Sequence, residues 1–335
     1  MKMPDSLNED TKTLMQDADC DLEVNWLITD FCNLQCGYCY PGSKRNKYIG
    51  FPDIQKISDS FDNTGAKWLI YISGGEPFLF PGFVELCQKL TKRHIISINT
   101  NLTHQDIYRF AEVIAPEKTR CVHCSLHIQE RKRLHSVKDF IKKYKMLEEK
   151  GFYVYASYVV YPPLLRRFAQ DYAYFKSEGI IIRPKLFRGV YSKWDLKNAR
   201  FFWRMQHFFE KTYPDAYTKA QKAAILGYMD NSQKDGNFCV DHKEDINIGR
   251  LSDVYLDKLL INGLPSYKGS YCLTGKTFVR MTPTGDTYRC YDEDKYLGNL
   301  FEGNMKLFEK PALCVSNVCS CPYIGHRHLI QNEKN

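Results

Sequence analysis

Leu22-Glu23-Val24-Asn25-Trp26-Leu27-Ile28-Thr29-Asp30-Phe31-Cys32-Asn33-Leu34-Gln35-Cys36-Gly37-Tyr38-Cys39-Tyr40 joins two signals in one short stretch. Leu22–Thr29 is rich in β-branched and aromatic side chains and reads as a strand. Three cysteines in the spacing CxxxCxxC follow it directly, on a loop able to wrap one corner of a cubane. A [4Fe–4S] cluster takes four ligands, so three thiolates leave one iron open to chelation. Zinc is the alternative, but it would take a fourth local Cys or His. Gly37 allows a tight turn between the second and third cysteines.

Outward from this loop, short β-branched or aromatic runs alternate with amphipathic helical stretches. Strands are expected at Leu22–Thr29, Trp68–Ser73, His94–Asn99, Arg120–Leu126, Val154–Val160 and Ile180–Phe187. Helices are expected near Asp53–Asn63, Pro81–Lys92, Thr103–Val113, Ser136–Glu149 and Leu164–Ser177. Pro81 suits a helix start, Ser136 with Asp139 a cap, and Gly65, Gly151 and Gly179 left-handed helix ends. Six such units, repeating at roughly 30 residues, imply a parallel sheet with helices on its outer face. The two further strands of a closed eight-strand barrel are not found. The expected fold is α/β: a polar lead-in over 1–21, a partial TIM-like (β/α)6 barrel over 22–235, and a small C-terminal α+β domain over 236–335. Functional groups then belong at the carboxyl ends of the strands. Arg200–Glu210 and Ala216–Met229 read as helices separated by Pro214, and Phe278–Arg289 as a hairpin turning at Pro283-Thr284-Gly285-Asp286.

Hydrophobic residues make up 44% of the 335 and charged residues 26%, enough apolar material for a real core. The 23 Tyr and 20 Phe imply an aromatic pocket lining beside core packing. A net charge of +8 invites an anionic partner, but the basic residues are dispersed. Their densest run, Arg131-Lys132-Arg133, reads as a solvated helix start, so nucleic acid is not the expected partner. Two bound clusters would bring the charge to about +5. The first 21 residues lack the apolar core of a signal peptide, and no apolar run approaches the ~18 residues of a membrane span. Thirteen cysteines in such a chain point to metal or cluster ligation in the reduced cytoplasm rather than to disulfides.

Ser73-Gly74-Gly75-Glu76-Pro77 closes the second expected strand. Paired glycines let backbone approach a ligand, and a carboxylate accepts a charge-assisted hydrogen bond from an ammonium. A CxxxCxxC loop with Tyr38 before its last cysteine, followed one βα unit later by this GGEP, resembles the radical S-adenosylmethionine (SAM) superfamily. The resemblance implies that Cys32, Cys36 and Cys39 hold a [4Fe–4S] cluster whose open iron is chelated by SAM. It implies reductive cleavage of SAM to a 5′-deoxyadenosyl radical that abstracts a substrate hydrogen, with electrons from a flavodoxin- or ferredoxin-like donor. Tyr38 and the Gly74, Gly75, Glu76 and Pro77 motif would line the cofactor, the motif at the methionine amino group. Later strand ends offer Asn99, Asn101, Ser125, His127, Arg133 and Ser157 as SAM or substrate contacts. Tyr158, Arg183 and Arg188 are further pocket candidates. His127 reads equally as a structural hydrogen-bonding residue and Arg133 as a surface charge, while Cys121 and Cys124 read as structural cysteines.

Cys272, Cys290, Cys314, Cys319 and Cys321 crowd a C-terminal segment poor in apolar periodicity. Cys272, Gly285 and Cys290 resemble the CxnGxxxxC opening of SPASM and twitch domains, which carry auxiliary [4Fe–4S] clusters beside a radical SAM barrel. Five cysteines are too few for two four-thiolate sites, so one twitch-like auxiliary cluster is expected. Cys272, Cys290, Cys319 and Cys321 are the preferred ligands, with Cys314 an alternative to either of the last pair. Four thiolates leave no open iron, which suits electron transfer or structure. His326 and His328 read as tail residues. Cys239, at the expected domain junction, reads on the residues as a structural cysteine. Resemblance to peptide-epimerising radical SAM enzymes implies instead a thiol that returns a hydrogen atom.

The expected function is maturation of a ribosomally made peptide, by epimerisation or cross-linking. The short lead-in leaves no separate leader-recognition domain, which weighs against it. Oxidation or rearrangement of a small sugar or aminocyclitol is the alternative, then RNA modification, then a non-enzymatic iron–sulfur protein.

Overall fold

The computed structural model describes residues 20–39, 53–187, 191–192, 210–211, 216–235, 257–258, 260–263, 266–317, 319 and 329–330. Its parallel strands are β1 (Leu22–Thr29), β2 (Trp68–Gly74), β3 (Ile95–Thr100), β4 (Thr119–Ser125), β5 (Val154–Val159) and β6 (Ile182–Lys185), adjacent in chain order. Between them run α1 (Ile54–Asp62), α2 (Phe83–Leu90), α3 (Asp106–Val113), the short α4 (Ile128–Arg133), α5 (Val137–Glu149) and α6 (Leu165–Ser177). The partial barrel of six units expected from the sequence is therefore present. Val24, Trp26, Ile70, Ile98, Val122 and Ala156 pack outward into one core with Phe61, Phe83, Phe110, Phe140 and Phe175. Period-2 alternation turns the intervening residues to the inner face, which is polar: Asn25, Tyr71, Ser97, Asn99, His123 and Ser157.

Gly65, Gly151 and Gly179 take left-handed φ of 75°, 85° and 81° at the ends expected of them. Two start signals misled. Pro81 lies outside the helix, which begins at Phe83, because Gly82 between them is left-handed at φ 72° and cannot belong to a right-handed turn. Ser136, at φ −108° and ψ 17°, is not extended, and its hydroxyl makes no cap bond. Arg131 corrects the solvated-face reading of the basic run. It is fully buried, its guanidinium lies 4.9 Å from the Phe140 ring centroid, and its Nε donates to the Leu126 carbonyl.

β7 (Tyr191–Ser192) and β8 (Glu210–Lys211) pair with each other, and the C-terminal segment supplies β9 (Tyr271–Cys272), β10 (Phe278–Met281), β11 (Asp286–Tyr288), β12 (Tyr296–Asn299), β13 (Ala312–Leu313) and β14 (Leu329–Ile330). β10 and β11 form the expected hairpin, with Gly285 at φ 87° and the Phe301 ring where a side chain would start. β10 also pairs parallel to β1, Glu23 opposite Phe278 through Trp26 opposite Met281. The barrel sheet thus has nine strands in the order β12-β11-β10-β1-β2-β3-β4-β5-β6. β13 and β14 flank β9 in a separate small sheet. Trp26 donates to the Thr282 carbonyl at 3.1 Å and meets Phe301 edge-on at 5.8 Å. These contacts seat the hairpin on the first barrel strand.

A helix over Lys219–Asp235, α7, follows the barrel; residues 236–256 lie outside the described ones. Glu210, expected at the end of a helix, instead pairs with Ser192 in a two-residue ladder. No helix among the described residues is long and apolar enough to cross a membrane.

His94 gives the fold a pH dependence. It is 1% exposed, its Nδ1 accepts from the Trp68 amide at 3.2 Å, and burial pushes its pKa down to about 4. A folded pKa below the ordinary 6.5 leaves stability intact above pH 6.5 and removes it as pH falls toward 4. Urea unfolding should show this residue costing about 2 kcal/mol between pH 7 and pH 5. A His94→Gln variant should lose that part of the slope, and an unchanged slope would reject the assignment.

Candidate radical SAM site

The cysteine loop is tied to the ends of β2, β3 and β4. Gly75 N donates to the Thr29 carbonyl at 2.6 Å and Glu76 N to the Phe31 carbonyl at 2.8 Å, locking the GGEP segment onto the backbone that leads into Cys32. A Cβ on Gly75 would stand 2.0 Å from the Phe31 carbonyl oxygen, so the second glycine is required by backbone contact within the protein. Glu76 is fully buried. Its carboxylate accepts from Thr100 Oγ1 at 2.7 Å, the Asn101 amide at 2.7 Å and the Phe78 amide at 3.2 Å. These fill three of its roughly four acceptor positions. Burial, the largest cause, still raises its pKa. The partly exposed part of the motif is Ser73, Gly74 and Gly75.

Asn101 is the next tie. Its Nδ2 donates to Asn33 Oδ1 at 3.0 Å and approaches Cys32 Sγ at 3.8 Å, and Asn33 Nδ2 donates to Thr103 Oγ1 at 2.8 Å. From α4, Glu130 accepts from the Gln35 amide at 2.9 Å and from Arg133 Nη2 at 2.8 Å. The Arg133 bond is the first cause holding the Glu130 carboxyl below its ordinary range. Asn33 and Glu130 were not singled out from the sequence, because neither stands in a motif and both act across long chain separations. Arg133 itself is half exposed.

His127 sits at the end of β4 in a left-handed conformation, φ 46°, which is unfavourable for a residue with a side chain. It faces the loop: its Nδ1 lies 3.3 Å from Cys36 Sγ and 3.1 Å from the Tyr38 hydroxyl. Burial pushes its pKa down to about 4, so the imidazole is neutral. Tyr38 is buried between His127 and Tyr161. Ser125 donates to Asn99 Oδ1 at 2.9 Å on the inner face, and Ser157 pairs with His123. The strand ends thus bring Asn101 and His127 to the cysteine loop and its Tyr38, while Asn99, Ser125 and Ser157 line the inner face and Pro77 is buried.

The donor set fits a [4Fe–4S] cluster. Burial first, and the neighbouring Cys32, Glu130 and Cys39 next, push the Cys36 thiol up to about 12; burial likewise raises Cys32. Three mutually repelling thiolates become compatible once cationic iron stands among them. Among the described residues no three Cys, His, Asp or Glu side chains converge on one metal ion. Gly37 turns the loop without a left-handed φ and has open space around it.

Of the C-terminal cysteines, Cys272 and Cys314 are neighbours. Ala312 stands opposite Cys272 across β9 and β13, and the Cys314 amide donates to the Ser270 carbonyl at 2.8 Å. Cys272 is buried and accepts from Thr274 Oγ1 at 3.3 Å, while burial pushes Cys290 up to about 11. Cys319 packs against Phe278 at the start of β10. Cys321, Cys239, Arg188, His326 and His328 lie outside the described residues. Cys121 and Cys124 are buried in the sheet, as expected of structural cysteines.

Comparison with known proteins fits this geometry. Residues 26–167 match the sequence model of the Radical SAM superfamily. GTP 3′,8-cyclase of Hydrogenovibrio crunogenus is 31% identical over 93 residues, 25% of this chain and 28% of that protein. The same enzyme of Acidothermus cellulolyticus is 30% identical over 93 residues, 24% and 25% of the two chains. The chain spans about a quarter of the length of these curated relatives. Native anSMEcpe with bound AdoMet and the Cp18Cys peptide superposes with a TM-score of 0.55 at 19% identity, over 85% of this chain and 78% of that one. Streptococcus suis SuiB bound to precursor peptide SuiA gives 0.50 at 16%, over 85% and 64%. At these identities the likeness is one of fold: a partial barrel followed by a C-terminal β-rich auxiliary part.

Proposed function

We propose, for a chain that carries a radical SAM superfamily domain over residues 26–167, that it modifies a ribosomally made peptide by hydrogen abstraction. The observation that carries this is the cysteine loop, docked by Gly75, Glu76, Asn101 and Glu130 at the carboxyl ends of the strands. The peptide part draws on two similar folds, each known with a peptide bound. When bound at Cys32, Cys36 and Cys39, the cluster would supply the electron that splits SAM to the radical abstracting a substrate hydrogen.

The chain's own residues set the geometry of that step. The Ser73 to Gly75 backbone would meet the methionine end of SAM, with Glu76 and Pro77 holding the turn from behind. Tyr38 and His127 fix the loop beside Cys36, with Arg133 at the rim for the SAM carboxylate. Asn99, Ser125 and Ser157 face inward, where the nucleoside and the substrate would lie. The polar inner face orients the substrate, and the outer helices keep bulk water from the sheet's other side. Cys239 is the proposed donor returning a hydrogen atom after abstraction, which would make the outcome epimerisation. A flavodoxin- or ferredoxin-like protein would supply the electron, in the cytoplasm, and nucleic acid would not be the substrate.

The C-terminal cysteines would hold one auxiliary [4Fe–4S] cluster. Proximity of Cys314 to Cys272 favours Cys272, Cys290 and Cys314, with Cys319 or Cys321 completing the set. Cys272→Ala and Cys314→Ala should each lower iron and sulfide by one cluster's content, with the SAM-cleaving cluster retained. Full iron in Cys314→Ala would move the ligand role to Cys319 and Cys321.

The peptide reading is tested by incubating the reduced, reconstituted protein with short peptides encoded beside its gene, in deuterated solvent. One solvent deuterium at an α-carbon marks epimerisation, and a loss of two hydrogens marks cross-linking. In Cys239→Ala, hydrogen abstraction should persist while epimerised product disappears. SAM cleavage with no peptide turned over would reject the peptide substrate.

A further inference from the structure

The inner face of β4, β5 and β6 carries side chains that the cysteine loop does not use. Strand register places His123 beside Tyr155, and Ser157 beside Arg183. Val122, Cys124, Ala156 and Ile182 pack outward into the helix-side core. Alternation therefore turns His123, Tyr155, Ser157, Arg183 and Lys185 inward together. The His123 ring stacks on Tyr155 at 4.5 Å, and the Arg183 guanidinium lies 4.2 Å from the centroid of the same ring. Arg183 Nη2 also donates to the Tyr153 hydroxyl at 2.9 Å. The aromatic rings thus hold a guanidinium in place before any ligand arrives.

His123 supplies a second observation. It is 5% exposed; its Nε2 pairs with Ser157 Oγ at 2.5 Å, and its buried Nδ1 has no hydrogen-bond partner among the described residues. Buried polar atoms in folded proteins are nearly always satisfied, so this nitrogen calls for a ligand or water atom. Burial first, then Lys185, Arg183 and His127, hold His123 well below its ordinary pKa.

We propose that this patch, with Arg183 and Lys185 as the cations and His123 beside them, receives a carboxylate of the substrate. Two hydrogen bonds from a guanidinium match a carboxylate's geometry, and an ammonium alongside adds charge. The subsite rests on the peptide reading only for where the carboxylate comes from, an acidic side chain or a C-terminus. Abstraction would then take place on a residue near that anchor.

Calorimetric titration of the reconstituted, SAM-loaded full chain tests it with four probes: glutarate, the blocked tripeptide acetyl-Ala-Glu-Ala-amide, its Gln isostere, and acetyl-Ala-Ala-Ala with a free C-terminus. The Glu tripeptide is expected to bind at least tenfold more tightly than the Gln one. An Arg183→Gln and Lys185→Gln double variant should erase that preference, and Arg183→Lys, which keeps the charge but loses the fork and its seat on Tyr155, should retain only part of it. Comparable binding of the free-C-terminus tripeptide supports the subsite and assigns it to a chain end. Glutarate binding without tripeptide binding supports the subsite and removes the peptide reading. Equal binding of the Glu and Gln tripeptides, no binding of any probe, or a preference that survives the double variant overturns the proposal. A loss of SAM affinity in step with the preference also overturns it, by giving the patch to the cofactor.

Discussion

Cys36→Ala should abolish 5′-deoxyadenosine formation, to the level of a protein-free control, while leaving the fold intact. The thiol is on a loop, half buried and 3.3 Å from His127, so truncating it removes little packing. Its removal leaves two thiolates where three are needed to hold iron against exchange. Iron content should fall with activity, and the melting temperature of the iron-free form should shift by no more than a few degrees. Cys87→Ala makes the contrast. Cys87 is a fully buried core residue on α2, so its truncation should cost about 1–2 kcal/mol of stability yet leave SAM cleavage in place. Retained cleavage in Cys36→Ala, or its loss in a folded Cys87→Ala, would contradict the assignment of the loop.

Gly75→Ala should be nearly as damaging, through structure. The new methyl carbon would stand 2.0 Å from the Phe31 carbonyl oxygen and 2.4 Å from its carbon, both backbone atoms with nowhere to go. Relief requires parting the GGEP turn from the segment entering Cys32, breaking the Gly75–Thr29 and Glu76–Phe31 hydrogen bonds. The expected cost is about 3 kcal/mol, which lowers Tm by roughly 6–12 °C in a domain of this size. Cluster retention should fall with it. Gly37→Ala is the internal control: nothing lies within 4 Å and its φ is not left-handed, so stability should stay within about 0.5 kcal/mol. Thermal unfolding of the two variants side by side reads this directly; equal losses would show that the close contact at Gly75 does not matter.

Much of this architecture is written locally. Each barrel strand is a short β-branched run with apolar residues on alternate positions, and Gly65, Gly151 and Gly179 mark helix ends, so the six units can be found from the chain alone. The cysteine loop and the GGEP turn are contiguous motifs and equally visible. What could not be seen depends on long-range contact. Nothing near Phe278 announces that β10 will lie parallel to β1, more than two hundred residues earlier. Arg131 has the same local spelling as its solvated neighbours, and only the Phe140 ring and the Leu126 carbonyl decide that it is buried. Glu76 suits the SAM ammonium by its charge; what no local signal shows is that Thr100, Asn101 and Phe78 also donate to it in the fold. The glycine before it follows the same logic, since the contact that requires it is with the Phe31 carbonyl.

The central claim is that Cys32, Cys36 and Cys39 build a SAM-cleaving centre at the end of β1. Anaerobic reconstitution, reduction and incubation with SAM alone, followed by chromatographic measurement of 5′-deoxyadenosine, tests it without knowledge of the substrate. The account predicts slow 5′-deoxyadenosine formation, with methionine released in equal amount and neither formed by Cys36→Ala. Protein fully loaded with iron and sulfide that forms no 5′-deoxyadenosine under reduction would contradict it.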